Sequence, residues 1–428
     1  MGVTTTDHDR EPFNMLTLVA HQVLFRVAWI FKTESVIMPA FLDSITSAGW
    51  VRGMLPPLNR FGQSVVPLLL SERLSRTSHK ATWLSQTTFL MSLPFLVLGV
   101  MQRLVGTQPP WWFVAMFLVA YVTFFSLHGV NQAAYNTIQG KLIRPHHRGR
   151  LIILAGYLGT PLAVLAAWLL LRPWTQSQPP DFSAIFLFTG FAFLLASLAS
   201  RRLKETPDPV VSRNAINVRR RFSEAWFCLK HDRHLRHIAM FSALAVCSQL
   251  LFPHYQRLGR EQPGYEGGML MVWVIVQHLA VAVFSWISGR LADRLGNRSA
   301  LRWLSFGSIF APLLPLVLNA AGAANWYWLT FAALGLVPVT FRMQLNYVLE
   351  LTDRSRHPIY VSTVVLCMAI PIILSPLVGD LVHRIGYVVP FCGIALILVA
   401  AWTLTLTMVE PRSPEFERRD QPQTASPG

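Results

Sequence analysis

The sequence has 428 residues, of which 53% are hydrophobic and only 14% are charged, and its mean hydropathy is +0.41. Since about a quarter of the residues of an ordinary soluble domain are charged, this composition argues against a water-soluble fold. The net charge of +16 would favour a nucleic-acid partner in a soluble protein. Here membrane topology explains it, and no nucleic-acid partner is predicted.

The N-terminal tail, residues 1–13, contains Asp7, Asp9, Arg10 and Glu11. It lacks the short apolar core and the small-residue cleavage site of a secretory signal, so the first apolar segment is predicted to be a retained span.

Apolar runs long enough to cross a bilayer recur along the whole chain. Charge clusters and Pro or Gly breaks divide them into twelve spans, numbered here in chain order. The spans cover residues 14–41, 50–71, 82–102, 111–140, 150–171, 183–200, 237–256, 267–288, 301–319, 326–350, 358–382 and 387–409. A helix needs roughly 20 apolar residues to cross the hydrocarbon core. The predicted fold is an all-α polytopic membrane protein with twelve transmembrane helices in two six-helix bundles.

The positions of Lys and Arg predict the orientation, because these residues concentrate in cytoplasmic loops. The two termini and the loops that follow spans 2, 4, 6, 8 and 10 hold 27 of the 37 Lys and Arg residues. The loops on the opposite side hold six, and the spans themselves hold four. Trp111, Trp112, Trp174, Trp326 and Trp328 fall at the opposite span ends, where aromatic rings favour the headgroup layer. Both termini are therefore predicted to be cytoplasmic, in a cell membrane and most simply a bacterial inner membrane.

The longest loop, residues 201–236, separates an N-terminal bundle (14–200) from a C-terminal bundle (237–410). Phe222, Trp226 and Leu229 form an apolar stripe with basic flanks, which is typical of a helix lying in the inner headgroup layer. The histidines at 231, 234 and 237 could suggest a metal, but a basic segment that meets anionic lipid is the simpler interpretation. The tail, residues 411–428, is polar and predicted to be disordered.

The four cysteines are scattered, and they indicate neither a disulfide framework nor a metal site. No metal site, catalytic residue or cofactor is predicted. A nucleotide-binding G-x-x-x-x-G-K-[ST] loop is also absent from the sequence, which disfavours a built-in ATP motor.

The two halves resemble each other in register. Ser71-Glu72-Arg73-Leu74 after span 2 matches Ser288-Gly289-Arg290-Leu291 after span 8, and a constant offset of 210 pairs Asn136 with Asn346 and Pro161 with Pro371. Internal repeats of this kind are typical of transporters, whose sites lie between the halves near the middle of the membrane.

One loop carries a family resemblance. The run from Gly289 to Arg298, Gly-Arg-Leu-Ala-Asp-Arg-Leu-Gly-Asn-Arg, resembles the signature loop between the second and third helices of each half in the major facilitator superfamily. The resemblance extends over about residues 14–410. It implies a secondary transporter that works by alternating access, with Gly289, Asp293, Arg294, Gly296 and Arg298 in a gating loop. The first-half copy, Ser71 to Lys80, lacks the glycines and the aspartate.

The resemblance also implies that spans 1, 4, 7 and 10 line a central cavity. Polar residues recur at helical spacing in each of them: Gln22 and Arg26; His128, Gln132, Asn136 and Gln139; Ser242, Gln249 and Gln256; Arg342, Asn346 and Glu350. A central Arg or Lys costs about 2.5–3.5 kcal/mol, so cations should face water or a partner. We predict a substrate site formed by Arg26, Arg60, Gln132, Asn136, Gln249, Arg342 and Asn346.

Glu34 and Glu350 are the candidates for proton coupling or ion pairing. Lys32 and Glu34 are two residues apart and should not face each other on one helix, so Glu34 is expected to meet Arg60 instead. Arg26, Lys32, Arg60 and Arg342 exceed the carboxylates of the spans, which favours an anionic small solute and leaves a neutral one open. A structural ion pair or interhelical anchor also stays open for these cations. A coupling ion, a membrane-embedded enzyme acting on lipid, and a sensor without flux are further open alternatives.

Overall fold

The structure is a computed structural model that describes residues 10–106, 109–207, 218–353 and 356–411, without the side chains of residues 68–76 and 218–222. These residues form helices and no strand. The predicted disordered tail, the N-terminal residues 1–9 and the side chain of Phe222 lie outside this description. The predicted all-α class is confirmed.

The helices of the first six spans follow one another with short connections. They are α1 (Glu11–Phe31), α2 (Ile37–Ile45), α3 (Gly49–Gly53), α4 (Leu55–Arg76), α5 (Lys80–Val105), α6 (Trp112–Leu142), α7 (Pro145–Ala166), a π-helical turn (Ala167–Leu171), α8 (Arg172–Gln176) and α9 (Phe182–Ser200). α1 and α2 belong to span 1, and α3 and α4 belong to span 2. α7, the π-helical turn and α8 belong to span 5.

A linker helix and six further spans follow. They consist of α10 (Val218–His231), α11 (Arg233–Ala245), a 3₁₀ segment (Val246–Leu251), α12 (Phe252–Arg260), α13 (Met269–Leu295), α14 (Asn297–Ala320), a 3₁₀ turn (Ala324–Trp326), α15 (Trp328–Leu334), α16 (Leu336–Glu350), α17 (His357–Ile372), α18 (Ser375–Ile385) and α19 (Val388–Thr407). α10 exposes Trp226 and Phe227.

Eleven helical segments of the described chain are long and apolar enough to cross a membrane. They correspond to every predicted span except span 2. Its main helix, α4, has 22 residues, which is long enough to cross, but it carries Asn59, Arg60 and Gln63 in its middle. The polar residues of span 2 contact span 1, where Asn59 donates to Glu34.

Prolines lie next to the breaks within several spans, because proline lacks an N–H and its ring clashes with the carbonyl four residues earlier. Pro39, Pro253, Pro338 and Pro376 follow the breaks at 32–36, Val246–Leu251, Gly335 and 373–374. Pro67, Pro94, Pro161 and Pro312, in contrast, lie inside continuous helices. Proline position alone therefore does not locate the breaks.

The chain divides into two compact units. One comprises Met1–Ile216 and Tyr265–Ile275, and the other Asn217–Gly264 and Val276–Gly428. The predicted linker, residues 201–236, is thus shared between them. The predicted division of the sequence into an N-terminal tail, an N-terminal bundle, a linker, a C-terminal bundle and a C-terminal tail stays a prediction.

The same helix pairs pack in each unit. Span 3 packs on span 6 in the first, as span 9 packs on span 12 in the second, and spans 1 and 5 pair as spans 7 and 11 do. Glycines allow the closest approaches: a Cβ added at Gly99 or Gly190 would lie 2.9 or 3.0 Å from the backbone of the facing helix. Close approach at small residues is how helices associate in membranes. The sequence repeat is therefore matched by repeated packing.

Candidate functional site

Span 1 breaks at a buried ion pair. α1 ends at Phe31, residues 32–36 form turns, and α2 begins at Ile37. The Lys32 Nζ atom lies 2.8 Å from Glu34 Oε1, with Lys32 fully buried and Glu34 26% exposed. The expectation that these two residues cannot pair is therefore wrong. It assumed an unbroken helix, whereas the turn after Phe31 brings the two side chains together.

Aromatic rings surround the ammonium group of Lys32. Its Nζ atom lies 3.1 Å from the ring centroid of Trp29, 4.4 Å from that of Phe125 and 5.1 Å from that of Phe124. Cation–π attraction strengthens when the cation is desolvated. The rings and Glu34 together compensate the loss of water around Lys32.

The middle of α4 supplies the second side of this site. Asn59 donates a hydrogen bond to Glu34 Oε2, Gln63 donates to Asn59, and Tyr121 on α6 lies near Asn59. Arg60 lies within electrostatic range of Glu34. We call Lys32, Glu34, Asn59, Arg60 and Gln63 the helix-break network. The expected proximity of Arg60 and Glu34 is thus present, and it accompanies the pair with Lys32.

Asn59, Gln63 and Tyr121 were missed by the sequence analysis. Asn59 and Gln63 are four residues apart on a predicted span, which is the spacing that identified the stripes elsewhere. They went unnoticed because span 2 was not among the predicted cavity helices. Tyr121 gives no such signal, because an aromatic residue in an apolar span is ordinary.

Arg26 in α1 faces span 5. Its Nη1 atom donates to Thr160 Oγ1 at 3.3 Å. A Cβ added at Gly159 would lie 2.8 Å from Arg26 Cδ, so a larger residue there would displace the Arg26 side chain. Within the described residues, Arg26 forms no ion pair with a carboxylate. It is partly buried, so its charge relies on a hydroxyl and on what else enters the site.

The stripe on α6 divides between two environments. Gln132 and Asn136 are exposed and joined by a 3.1 Å hydrogen bond. Asn131, which sequence analysis passed over, is buried and donates to Leu84 O, Thr87 Oγ1 and Thr88 Oγ1 on α5. Asn131 is therefore an anchor between spans 3 and 4, while Gln132 and Asn136 are available to solvent.

In the second unit, Arg342 and Asn346 lie on an exposed face of α16, and Glu350 is half-buried near its end. The Arg342 Nη2 atom donates to Ser285 Oγ at 3.1 Å, and its Nε donates to Pro338 O at 3.3 Å. The acceptor Pro338 O lies one helical turn before Arg342 on the same helix. Arg342 is thus oriented by its own span and by span 8.

Gln249 lies in the 3₁₀ segment of span 7 and lines a small cavity of about 20 Å³ within the second unit. Ser248, Ser308 and Thr340 also line it, and each donates its hydroxyl proton to a carbonyl of its own chain segment. The buried Gln344 Oε1 atom has no hydrogen-bond partner among the described residues. The cavity therefore has a few polar residues in a mainly apolar lining and is large enough for about one water molecule.

The signature run is mostly helical. Gly289, Asp293 and Arg294 lie inside α13, which continues to Leu295, and the turn is confined to Gly296, whose φ is +84°. A loop over residues 289–298 is therefore wrong. Glycine permits the left-handed conformation that turns the chain from α13 into α14, so one residue is enough.

The end of span 12 packs on this turn. Arg298 Nη1 donates to Met408 O at 3.0 Å, its Nε lies 4.0 Å from Glu410 Oε2, and the Tyr347 hydroxyl donates to Val409 O at 2.6 Å. Asp293 and Arg294 are exposed, and no hydrogen bond or ion pair involves the Asp293 carboxylate within the described part of the chain. Glu410 and Tyr347 were missed, because neither belongs to the signature. The structure thus joins Gly296 and Arg298 to span 12 and leaves Asp293 apart.

The structure also shows where Arg302, His234 and His237 lie. Arg302 lies inside α14 and donates to Thr405 O at 3.3 Å. No three His, Cys, Asp or Glu residues come together as metal ligands in the described residues. His234 and His237 lie on α11, after Asp232, which caps that helix by accepting from His234 N and Leu235 N.

Comparison with known proteins adds the family. The model of the Major Facilitator Superfamily matches residues 35–343, well over half of the chain. No curated protein matches the sequence closely enough to count as a relative.

Several solved structures share the fold. The D323A mutant of the nucleoside transporter NupG has a TM-score of 0.70 at 12% identity, covering 92% of this chain and 99% of its own. A bacterial homologue of the human lysosomal transporter Spinster, inward-facing and unoccupied, gives 0.65 at 13% identity over 94% and 99%. The D-xylose-proton symporter gives 0.65 at 13% over 93% and 98%. At these identities the likeness shows the fold alone.

Proposed function

Because the chain belongs to the major facilitator superfamily, we propose that it is a secondary active transporter of a small solute with an anionic group. Membership identifies a multi-pass membrane transporter that works by alternating access. The solute class, the coupling and the orientation are the proposed parts.

Arg26 carries the proposal of an anionic solute. Its guanidinium is partly buried, hydrogen-bonds to the neutral Thr160, and forms no ion pair with a carboxylate within the described residues. A buried charge is tolerated when it is paired or solvated, and a carboxylate or phosphate presents the geometry that guanidinium binds best. An anion entering beside span 1 would supply the missing charge.

The polar stripes supply neutral partners for the rest of the solute. Gln132 and Asn136 are exposed on α6, and Arg342 and Asn346 are exposed on α16. Amides both donate and accept hydrogen bonds, so they suit hydroxyl or carbonyl groups. We propose that Gln132 and Asn136 in the first unit bind the solute, and that Arg342, Asn346 and Gln249 in the second unit bind it as well.

The helix-break network is the proposed coupling element. Discontinuous transmembrane helices commonly hold substrate and coupling ions in transporters, and Glu34 is the carboxylate at the break of span 1. Protonation of Glu34 would remove the charge that holds Lys32 and weaken the hydrogen bond from Asn59, because each contacts one of its carboxylate oxygens. A proton or another cation arriving at Glu34 would thereby alter the junction between α1 and α4.

Uptake into proteoliposomes tests this function. We expect saturable uptake of small carboxylates, increased by a pH gradient, and at least tenfold weaker uptake of the matching primary amides. Liposomes without protein are the control. Uptake restricted to neutral or cationic solutes would contradict the anionic site. Binding without flux would favour the sensor, and conversion of lipid in the same vesicles would favour the enzyme.

The proposed orientation places both termini and the linker in the cytoplasm of a cell, most simply a bacterium. We expect single cysteines introduced at exposed linker positions such as Arg202 and Ser223 to react with a membrane-impermeant thiol reagent only after the membrane is opened. The basis is the excess of 27 Lys and Arg on the linker side over six on the other.

The background for that experiment is a variant in which the four native cysteines are replaced. A cysteine at Trp111, at the opposite end of span 4, serves as the matched control and should react in intact cells. Labelling of the linker in intact cells would reverse the orientation.

A further inference from the structure

Spans 3 and 6 enclose an amphiphilic cleft at the end where span 3 begins and span 6 ends. It has a volume of about 490 Å³, within the range of about 300–1,000 Å³ usual for ligand sites. It lies wholly within the first unit and is separate from the candidate transport residues. The proposed transport function does not involve the cleft.

The lining changes from apolar to charged along both helices. Phe89 and Leu194 lie at one end, Ser85, Gln86 and Ser197 follow in the middle, and His79 and Arg201 lie at the other end. Since an α-helix rises 1.5 Å per residue, the ten residues from Phe89 to His79 cover roughly 15 Å. This gradient matches a molecule with a polar head and an apolar tail.

The middle of the cleft is rigid. Ser197 Oγ donates to Ser85 O at 2.9 Å, and Ser85 Oγ donates to Ser197 O at 3.1 Å. Both serines are buried, and Gly99 and Gly190 hold the same two helices together deeper in the span. The cleft therefore opens beside a fixed helix pair.

The charges at the mouth favour an anion. Glu205 also lines the cleft, but its carboxylate binds Lys141 Nζ at 2.8 Å and Ala81 N at 2.7 Å. Arg201 is exposed, and its guanidinium has no hydrogen bond or ion pair within the described residues. Arg201 therefore leaves an uncompensated positive charge at the mouth of the cleft.

From these features we propose that the cleft between spans 3 and 6 binds an anionic glycerophospholipid, with its phosphate beside Arg201 and His79 and its acyl chain along Phe89, Leu194 and Leu198. The apolar end distinguishes a lipid from a free phosphate, which would use only the mouth. The exposed Phe89 and Leu198 side chains give the acyl chain a surface that continues into the bilayer.

The test compares lipid binding by the full protein in nanodiscs of phosphatidylglycerol and phosphatidylcholine with the same acyl chains. We expect retained lipid, measured by native mass spectrometry, to be enriched in phosphatidylglycerol, and Arg201→Gln to reduce that enrichment about fivefold. Arg202→Gln is the matched control, because Arg202 is equally exposed and does not line the cleft. It should leave the enrichment intact.

Two further measurements locate the lipid. A photoactivatable phosphatidylglycerol with its reactive group on the acyl chain should cross-link to peptides that contain Phe89 or Leu194, and glycerol 3-phosphate should not displace it. No enrichment in the wild type, equal losses in both arginine variants, or cross-links confined to other spans would overturn the proposal. Displacement by glycerol 3-phosphate would indicate an anion site without lipid.

Discussion

Replacing Glu34 with glutamine is expected to destabilise the protein more than replacing its partner Lys32 with methionine. Glu34→Gln leaves the fully buried ammonium of Lys32 without its counter-ion, and an uncompensated buried charge costs about 3 kcal/mol or more. Lys32→Met leaves a carboxylate that is 26% exposed, retains Asn59 and lies near Arg60. Thermal unfolding in detergent measures the order of the two effects.

The double variant Lys32→Met with Glu34→Gln distinguishes the contribution of the ion pair to stability from the role of Glu34 in coupling. It should recover most of the lost stability, because neither charge remains to be compensated, while uptake loses its response to a pH gradient. Asp380→Asn is the control, since the pair Asp380–Arg384 is exposed and such pairs are worth about 0–1 kcal/mol. A double variant as unstable as Glu34→Gln would contradict the pairing, and retained pH stimulation would contradict the role of Glu34 in coupling.

Replacing Arg26 with glutamine is expected to weaken binding of an anionic substrate by about 10- to 100-fold. A hydrogen bond to a charged group contributes about 1.5–3 kcal/mol, which corresponds to this loss of affinity. Stability should change little, because the hydrogen bond of Arg26 to Thr160 is long at 3.3 Å. The measurement is the concentration dependence of uptake, together with binding to the purified protein.

Two comparisons control the Arg26 result. Arg103→Gln, at an exposed position near the end of α5, should leave affinity unchanged. Arg26→Lys keeps the charge but loses the bidentate geometry, so it should fall between wild type and Arg26→Gln. Unchanged affinity for Arg26→Gln would remove the main support for an anionic solute.

The sequence alone was sufficient for the fold class and the family. Each long apolar run must satisfy its backbone hydrogen bonds internally in lipid, so helices follow from composition and length. The run from Gly289 to Arg298 carried the family resemblance, and the family match over residues 35–343 confirmed it. Span 2 is the one predicted span whose described helix is too polar to be identified as membrane-crossing, so its crossing stays a prediction.

Pairing of the polar residues depended on tertiary structure. Lys32 and Glu34 meet because α1 stops at Phe31, and the polar stripe of span 2 is used because α4 passes beside that break. Asn131 and Gln132 are adjacent in sequence, yet one is buried against span 3 and the other is exposed. A rotation of 100° per residue is enough to separate an anchor from a solvent-facing group.

By itself, the sequence determined the multi-pass helical class and the transporter family, because the cost of burying backbone and charge in lipid requires long apolar helices. Only the tertiary structure decided which prolines lie next to a break in their span. Pro39, Pro253, Pro338 and Pro376 do, whereas Pro94 and Pro161 lie inside continuous helices. The physical reason is that a freed carbonyl can be satisfied by neighbouring helices and side chains, and those neighbours exist only once the helices have packed.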